Sequence, residues 1–325
     1  MKNQKIFMLV LFSILLVLLF TGCDQAAEEP VTEEGEKLLI ITTLFPQYDF
    51  VKQIAGDKVI VTFLLPPGME PHSFEPSPRD IADIQKADLF IYTGAYMEPW
   101  AERIIDAAEG KTLLIVDTSI GIDLMDEDDH HHHHHDEDEH HDEDEHHEHG
   151  GKDPHFWLDP LLAKIMVDHI VEGLIQVDPD HEGYYRENGE TYKQQLQDLH
   201  DKIDSSLAGL ENRTILYAGH FAFGYFAARY DLDHISPYEG FAPDAEPTPG
   251  NIAELIKRVN ESNAKVIYYE ELIEPKVAKV VAEQTGAEMV LLHGAHNVTT
   301  DELNSGITYI QIMEDNLAKL LEGLQ

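Results

Sequence analysis

The chain has 325 residues, with 62 acidic and 22 basic side chains and a formal charge of −40 at pH 7. That excess of negative charge excludes a nucleic-acid binder working by phosphate neutralisation and points to a cationic partner. A single cysteine excludes an intramolecular disulfide, a cysteine-rich zinc module and an iron–sulfur cage.

Lys2 and Lys5 precede Ile6 to Phe20, a 15-residue apolar run broken only by Ser13 and too short for a comfortable membrane span. Residues 1–22 therefore read as a secretory signal. The run ends Phe20-Thr21-Gly22-Cys23, which resembles the lipobox of bacterial lipoproteins, although Phe20 stands where leucine is usual. The resemblance implies cleavage before Cys23 and acylation of its thiol. More than one acyl chain there gives stable anchoring to the membrane. Residues 23–37, rich in Glu and without aromatics, cannot bury a core and read as a flexible tether.

The remaining length suggests two domains of about 150 residues each. Leu38–Thr42, Lys58–Leu65, Leu89–Tyr92, Thr112–Val116, Thr214–Ala218, Lys265–Tyr269 and Glu288–Leu292 read as short buried strands. Helical patterns lie between them, among them Asn251–Asn260 and Pro275–Thr285, the latter closed by Gly286 at C′. This alternation predicts an α/β fold with mostly parallel sheets flanked by helices.

An internal echo divides the chain. Glu75–Tyr92 and Glu246–Tyr269 share an EP[ST]P opening followed by a helix and a strand, so two lobes of similar build are expected. Ser77 and Thr248 are placed to cap helices that begin at Pro78 and Pro249, an architectural role. Between the lobes a polar stretch without proline, broken mainly by Gly183 and Gly189, reads as one connecting helix over 180–210. The lobes are then 38–179 and 211–325.

Asp126 to His149 contains only Asp, Glu and His: 13 acids and 11 histidines in 24 residues. It reads as a low-complexity, disordered loop inside the first lobe. His130, His131, His132, His133, His134 and His135 look like a purification tag, but a tag lies at a terminus and does not continue into His140, His141, His146, His147 and His149. A metal-collecting loop fits better. Imidazoles suit Zn²⁺, Cu²⁺ and Ni²⁺, and interleaved carboxylates concentrate divalent cations, which makes a weak, multi-site auxiliary antenna.

The defined chemistry lies in histidines outside that tract. In open α/β sheets, ligands bind beyond the carboxyl ends of strands. His72 sits in a proline-stiffened loop after a predicted strand, and His155 sits in DPHFWLDP, where Asp159 and Pro160 start the next helix. His220 closes the strand TILYAG, and His293 and His296 share the loop after AEMVLL. Four loops from two lobes each bring histidine. His169, His181, His200 and His234 lack this context and read as surface or core residues.

PPGMEPHSFEPSPRDIADIQKADLFIYTGAYMEPW, DPHFWLDP, GHFAFGYFAARYDL and EPTPGNIAELI together resemble the metal-binding lipoproteins of ABC transporters, specifically the ZnuA-like zinc group. The resemblance spans essentially the whole mature chain. It implies two lobes bridged by one long rigid helix with the metal in the cleft between them, and a permease and an ATPase as partners. It also implies that His72, His155 and His220 are ligands. The fourth position departs from the pattern: manganese or iron relatives usually place Asp there, and zinc relatives often Glu or water. His296 aligns with that acid and His293 is the alternative, with water, Glu70 or a tract histidine also open. Phe221 replaces an Asp that many relatives carry after the third histidine, which weakens the case for an outer carboxylate at that point.

Four imidazoles at about 2.0–2.1 Å suit tetrahedral Zn²⁺, whereas Mn²⁺ prefers oxygen ligands and higher coordination. The expected protein is an extracytoplasmic, lipid-anchored, monomeric zinc receptor with no enzymatic activity. A manganese or iron receptor is the alternative, followed by a secreted zinc hydrolase, which lacks an HExxH motif here, or a surface zinc store. Affinity is expected to fall below the ordinary imidazole range of about pH 6–7.

Overall fold

The structure, a computed structural model, describes residues 37–108, 112–126, 151–238 and 247–325. Cys23, residues 1–22, nearly all of the tether and the histidines of the acidic tract lie outside them. Among the described residues no helix is long and apolar enough to cross a membrane.

The first lobe holds β1 (Leu39–Thr42), α1 (Phe45–Ala55), β2 (Ile60–Phe63), α2 (Pro78–Ile84), β3 (Leu89–Tyr92), α3 (Ala101–Ala108) and β4 (Leu114–Asp117). Its four strands are parallel in the order β2-β1-β3-β4. A short 3-10 turn at Phe156–Leu158 leads into α4 (Pro160–Val177), and α5 (Glu182–Leu207) follows. The second lobe holds β5 (Thr214–Leu216), α6 (Gly224–Arg229), β6 (Asp233–Ile235), α7 (Pro249–Ser262), β7 (Val266–Tyr269), α8 (Lys276–Thr285) and β8 (Glu288–Leu291). It ends with α9 (Thr300–Ser305) and α10 (Tyr309–Leu324). The pairs β5-β6 and β7-β8 are parallel, and a single parallel bridge between Tyr217 and Tyr268 links β5 to β7. The resulting order, β6-β5-β7-β8, repeats the topology of the first lobe.

The central strands β1, β3 and β7 read as nearly unbroken apolar runs because they are buried on both faces of the sheet. In β1, Ile40 faces the cluster shared by the lobes and Ile41 the outer cluster. In β3, Leu89 and Ile91 face inward while Phe90 and Tyr92 face outward. In β7, Val266 and Tyr268 face the shared cluster and Ile267 the outer cluster of the second lobe. The shared cluster joins Phe50, Trp157, Tyr192, Tyr217, Phe223 and Tyr309, so Leu38–Gln325 forms one compact unit.

Capping follows the sequence. Ser77 and Thr248 accept from the amides of Asp80 and Asn251, and Asp159 accepts from Leu161. Gly286 closes α8 in the left-handed region that favours glycine. Strand limits are tighter than the apolar runs: β2 omits Lys58–Val59 and Leu64–Leu65, and β5 omits Tyr217–Ala218. The three-residue β6 has no apolar alternation to reveal it. The connecting helix starts after a 3-10 turn at Pro179–His181 and ends at Leu207, so it is shorter than 180–210.

Near its start, α5 binds the first lobe through Asn188, which donates to the Ile54 carbonyl at 2.8 Å. Near its end it binds the second, through Lys202 to Glu314 at 2.6 Å and His200 to the Tyr230 hydroxyl at 3.1 Å. Gly189 does not break the helix; it allows close approach to α4, since a Cβ there would stand 2.5 Å from Val171 Cγ2. Gly189→Leu is expected to destabilise the fold by about 2 kcal/mol through overpacking, read as a lower urea midpoint.

Candidate metal centre

In both lobes the strand order reverses between the first and third strands, which opens a crevice at their carboxyl ends. The first lobe fills its own crevice. Glu98 is buried there and accepts from the hydroxyls of Thr43 and Thr93 and the amides of Thr93 and Gly94, at 2.6–3.1 Å. The histidines instead converge between the lobes.

His72 lies in the loop after β2, His155 at the start of the Phe156–Leu158 turn, His220 after β5 and His296 after β8. The His72 ring centre stands 5.1 Å from that of His155, 5.3 Å from His220 and 5.6 Å from His296. His155 lies 5.0 Å from both His220 and His296. Imidazoles arranged tetrahedrally about an ion at ordinary Zn–N range have ring centres roughly 5 Å apart. Candidate ligand nitrogens of His72, His155 and His296 all lie within 4.8 Å of one another, and the His220 ring stands beside those of His72 and His155.

The outer side of each ring decides which nitrogen faces inward. Asp153 Oδ1 holds His155 Nδ1 at 2.7 Å and its backbone amide at 2.9 Å. Glu271 Oε1 stands 3.3 Å from His296 Nδ1, and its other oxygen accepts from the Gly294 amide at 2.7 Å. Glu270 accepts from the His220 amide at 2.9 Å and stands 3.9 Å from its Nδ1. With the ring proton drawn to Nδ1 in His155 and His296, their Nε2 atoms keep their lone pairs for the centre. His155 and His72 meet through their Nε2 atoms at 3.1 Å, and Nε2 of His220 and of His296 has no hydrogen-bond partner among the described residues.

Burial, then repulsion from the other histidines, pushes the imidazoles of His72 and His220 well below their ordinary range. Burial also lowers His155, against the pull of Asp153. Burial alone would raise Glu271, but His293 and His296 outweigh it and hold the carboxyl down to about 2. Burial pushes Glu270 up to about 8 despite the His220 amide, with Glu271 adding to the rise. The pocket therefore offers neutral nitrogen donors backed by acids, a combination suited to a divalent cation. With three donors depressed, the onset of proton competition lies below the pH 6–7 expected from sequence.

His293 does not join the cluster. Its Nδ1 accepts from the Ala295 amide at 2.9 Å, and its Nε2 turns towards Glu302, 3.8 Å away. Ala295, in the left-handed region at φ 55°, lies between the two histidines and carries His296 to the other side. Glu70 is also engaged elsewhere, accepting from the amides of His72 and Ser73 at 2.8 Å. Of the histidines set aside from sequence, His181 binds Asp178 and His200 binds Tyr230. His234 stacks on Phe221 at 3.8 Å, and His169 lies on α4. Phe221 offers no outer carboxylate, but Glu270, which directly follows β7, stands behind His220. Asp153, Glu270 and Glu271 were not singled out from sequence. Glu270 and Glu271 directly follow the strand VIYY, the same position after a strand that marked the histidines.

Two like α/β lobes on a shared core, with four imidazoles converging between them, define a bilobed metal-binding protein. The family described as ZnuA, zinc-uptake complex component A, periplasmic, matches residues 40–323, and the chain belongs to that family. It is 40% identical over 308 residues to the high-affinity zinc uptake system protein ZnuA of Bacillus subtilis, covering 94% of each chain. It is 34% identical over 323 residues to the zinc-binding protein AdcA of Streptococcus pyogenes, covering 98% of this chain but only 61% of AdcA. The crystal structure of the Zn(II)-bound ZnuA-like domain of Streptococcus pneumoniae AdcA superposes with a TM-score of 0.73 at 30% identity, covering 89% of this chain and 99% of that one.

Proposed function

We propose that the chain is the extracytoplasmic zinc-binding receptor of an ABC-type zinc uptake transporter. Zn²⁺ is its cargo, held by Nε2 of His72, His155, His220 and His296 and delivered to a membrane permease coupled to an ATPase. The observation that carries this reading is the convergence of four imidazoles with acidic side chains behind three of them. An all-nitrogen tetrahedral set suits Zn²⁺ and lacks the oxygen ligands that Mn²⁺ favours. The zinc named for the Bacillus subtilis and streptococcal relatives supports the same cargo.

In this reading the lobes, 38–179 and 211–325, release zinc when docking on the permease separates the loops between them. Cys23 anchors the receptor through its acyl chains, residues 23–37 tether it, and the tract at 126–149 gathers zinc weakly ahead of the cleft. The receptor works as a monomer. A hydrolase would keep one zinc position open for water and hold a general base nearby. Here four imidazoles fill the set and the acids are turned to the outer sides of the rings, so transport is favoured over catalysis.

The test is a competitive titration of Zn²⁺ against Mn²⁺ on protein lacking 126–149. One tight zinc equivalent that excess Mn²⁺ does not displace is the expected result. No tight zinc would move the function to the tract, and displacement by Mn²⁺ would make this a manganese receptor.

A further inference from the structure

We propose that Asn297 is a positioning residue for zinc retention, a latch that makes the His72 loop of the first lobe and the His296 loop of the second hold or release as one. The inference rests on the receptor reading above and concerns how that site keeps its cargo.

Asn297 is fully buried and follows His296 directly. Its side-chain amide donates to the carbonyls of Pro66 at 2.7 Å and Met69 at 2.9 Å, across the interlobe boundary. Its own oxygen accepts from the Val298 amide at 2.7 Å, and the Val298 carbonyl accepts from Gly68 at 2.9 Å. The segment it grips, Pro66–Met69, is a turn closed by the Met69 amide on the Pro66 carbonyl at 3.1 Å, with Gly68 at φ 83°. Glu70 then ties the amides of His72 and Ser73. The hydrogen bonds of Asn297 to the turn, the Met69–Glu70 peptide link and the Glu70 side chain therefore lead from Asn297 to the backbone of His72.

His72 needs such a tie more than the other three. His155, His220 and His296 are buried, and each has an acidic side chain behind its ring. His72 is half-buried, and among the described residues its ring meets the other histidines and no carboxylate. The turn before it is exposed from Pro66 to Met69. The His296 loop, by contrast, is seated firmly on the first lobe. The Phe45 amide donates to the His296 carbonyl at 2.9 Å, and the Trp157 indole N–H donates to the Gly294 carbonyl at 2.9 Å. Asn297 lends the firmness of that loop to the exposed one. Without it, the His72 loop must be ordered at each binding event, a cost that weakens retention. The effect falls on dissociation, because the encounter with a small cation does not depend on the latch.

The experiment follows release of the slowest zinc equivalent from the full chain into excess chelator by stopped flow, alongside the association rate and the melting of the metal-free protein. Asn297→Ala is expected to speed release about tenfold or more, through loss of two partly buried hydrogen bonds, with the association rate within about twofold of wild type. Asn297→Asp is expected to release faster still, because a second carboxylate oxygen would face two carbonyls. Asn297→Ser, which keeps one donor, should fall between wild type and Ala and serves if Ala does not fold. Unchanged release in these variants, with only the melting temperature lowered, makes Asn297 structural and overturns the latch alone. Wild-type protein that holds no slow zinc equivalent overturns the receptor reading and the latch with it.

Discussion

His155→Ala is expected to weaken zinc binding by a factor on the order of 100 to 1,000. Structural zinc sites bind with about 10–16 kcal/mol, which shared among four ligands is roughly 2.5–4 kcal/mol each. His155 belongs at the upper end of that range. It is fully buried, its Nδ1 is fixed by Asp153 at 2.7 Å, and its ring lies within 5.1 Å of all three other cluster rings. Truncation removes a donor and also leaves the buried Asp153 without its imidazole partner, so neither solvent nor a neighbour restores the site cheaply. Trp157, whose ring stands 5.3 Å from His155, keeps the space walled. His181→Ala is the control, because that histidine binds Asp178 before α5 and has no part in the cluster. Competition against a chromophoric chelator reads both variants. Retention within threefold of wild type in His155→Ala would remove His155 from the ligand set.

The legibility of this site in the sequence depended on what local pattern encodes. Loops after apolar runs mark the edge where a parallel sheet binds ligands, so His72, His155, His220 and the His293/His296 pair stood out, and the structure brings one histidine from each loop together. Choosing between His293 and His296 depended on backbone that spacing does not encode. The left-handed turn at Ala295 and the amide donated to His293 Nδ1 send the two rings in different directions. The outer carboxylates escaped notice for a related reason. Glu270 and Glu271 lie some fifty and twenty-five residues from the histidines they support, as the separations to His220 and His296 show. Helix starts were legible where a side chain caps them, as at Ser77, Asp159 and Thr248. Strand ends were not, because Leu64 and Leu65 remain apolar after the ladder stops at Phe63.

Acidification is expected to cost far less affinity than ordinary histidines would allow. Three imidazoles titrating near 6.5 lose roughly a thousandfold in metal affinity between pH 7.5 and 5.5, because each must shed a proton before it binds. In the folded chain His72, His155 and His220 are all lowered, first by burial and, for His72 and His220, next by their neighbours. The sign follows from linkage. A donor whose pKa is depressed is already neutral at the pH where a free imidazole has begun to protonate, so protons compete for it only further down the scale. Zinc affinity of the protein lacking 126–149 should fall less than about tenfold from pH 7.5 to 5.5, with the steep loss below that window. The same depression acts against the metal-free fold, because unfolded histidines take up protons near pH 6.5 that the folded ones refuse. Zinc offsets this by binding only the folded form, so the loaded protein should keep its melting temperature to lower pH than the variant His155→Ala does. A thousandfold loss of zinc affinity already present at pH 5.5 would mean that these imidazoles titrate as if exposed, and that the cleft opens to water in solution.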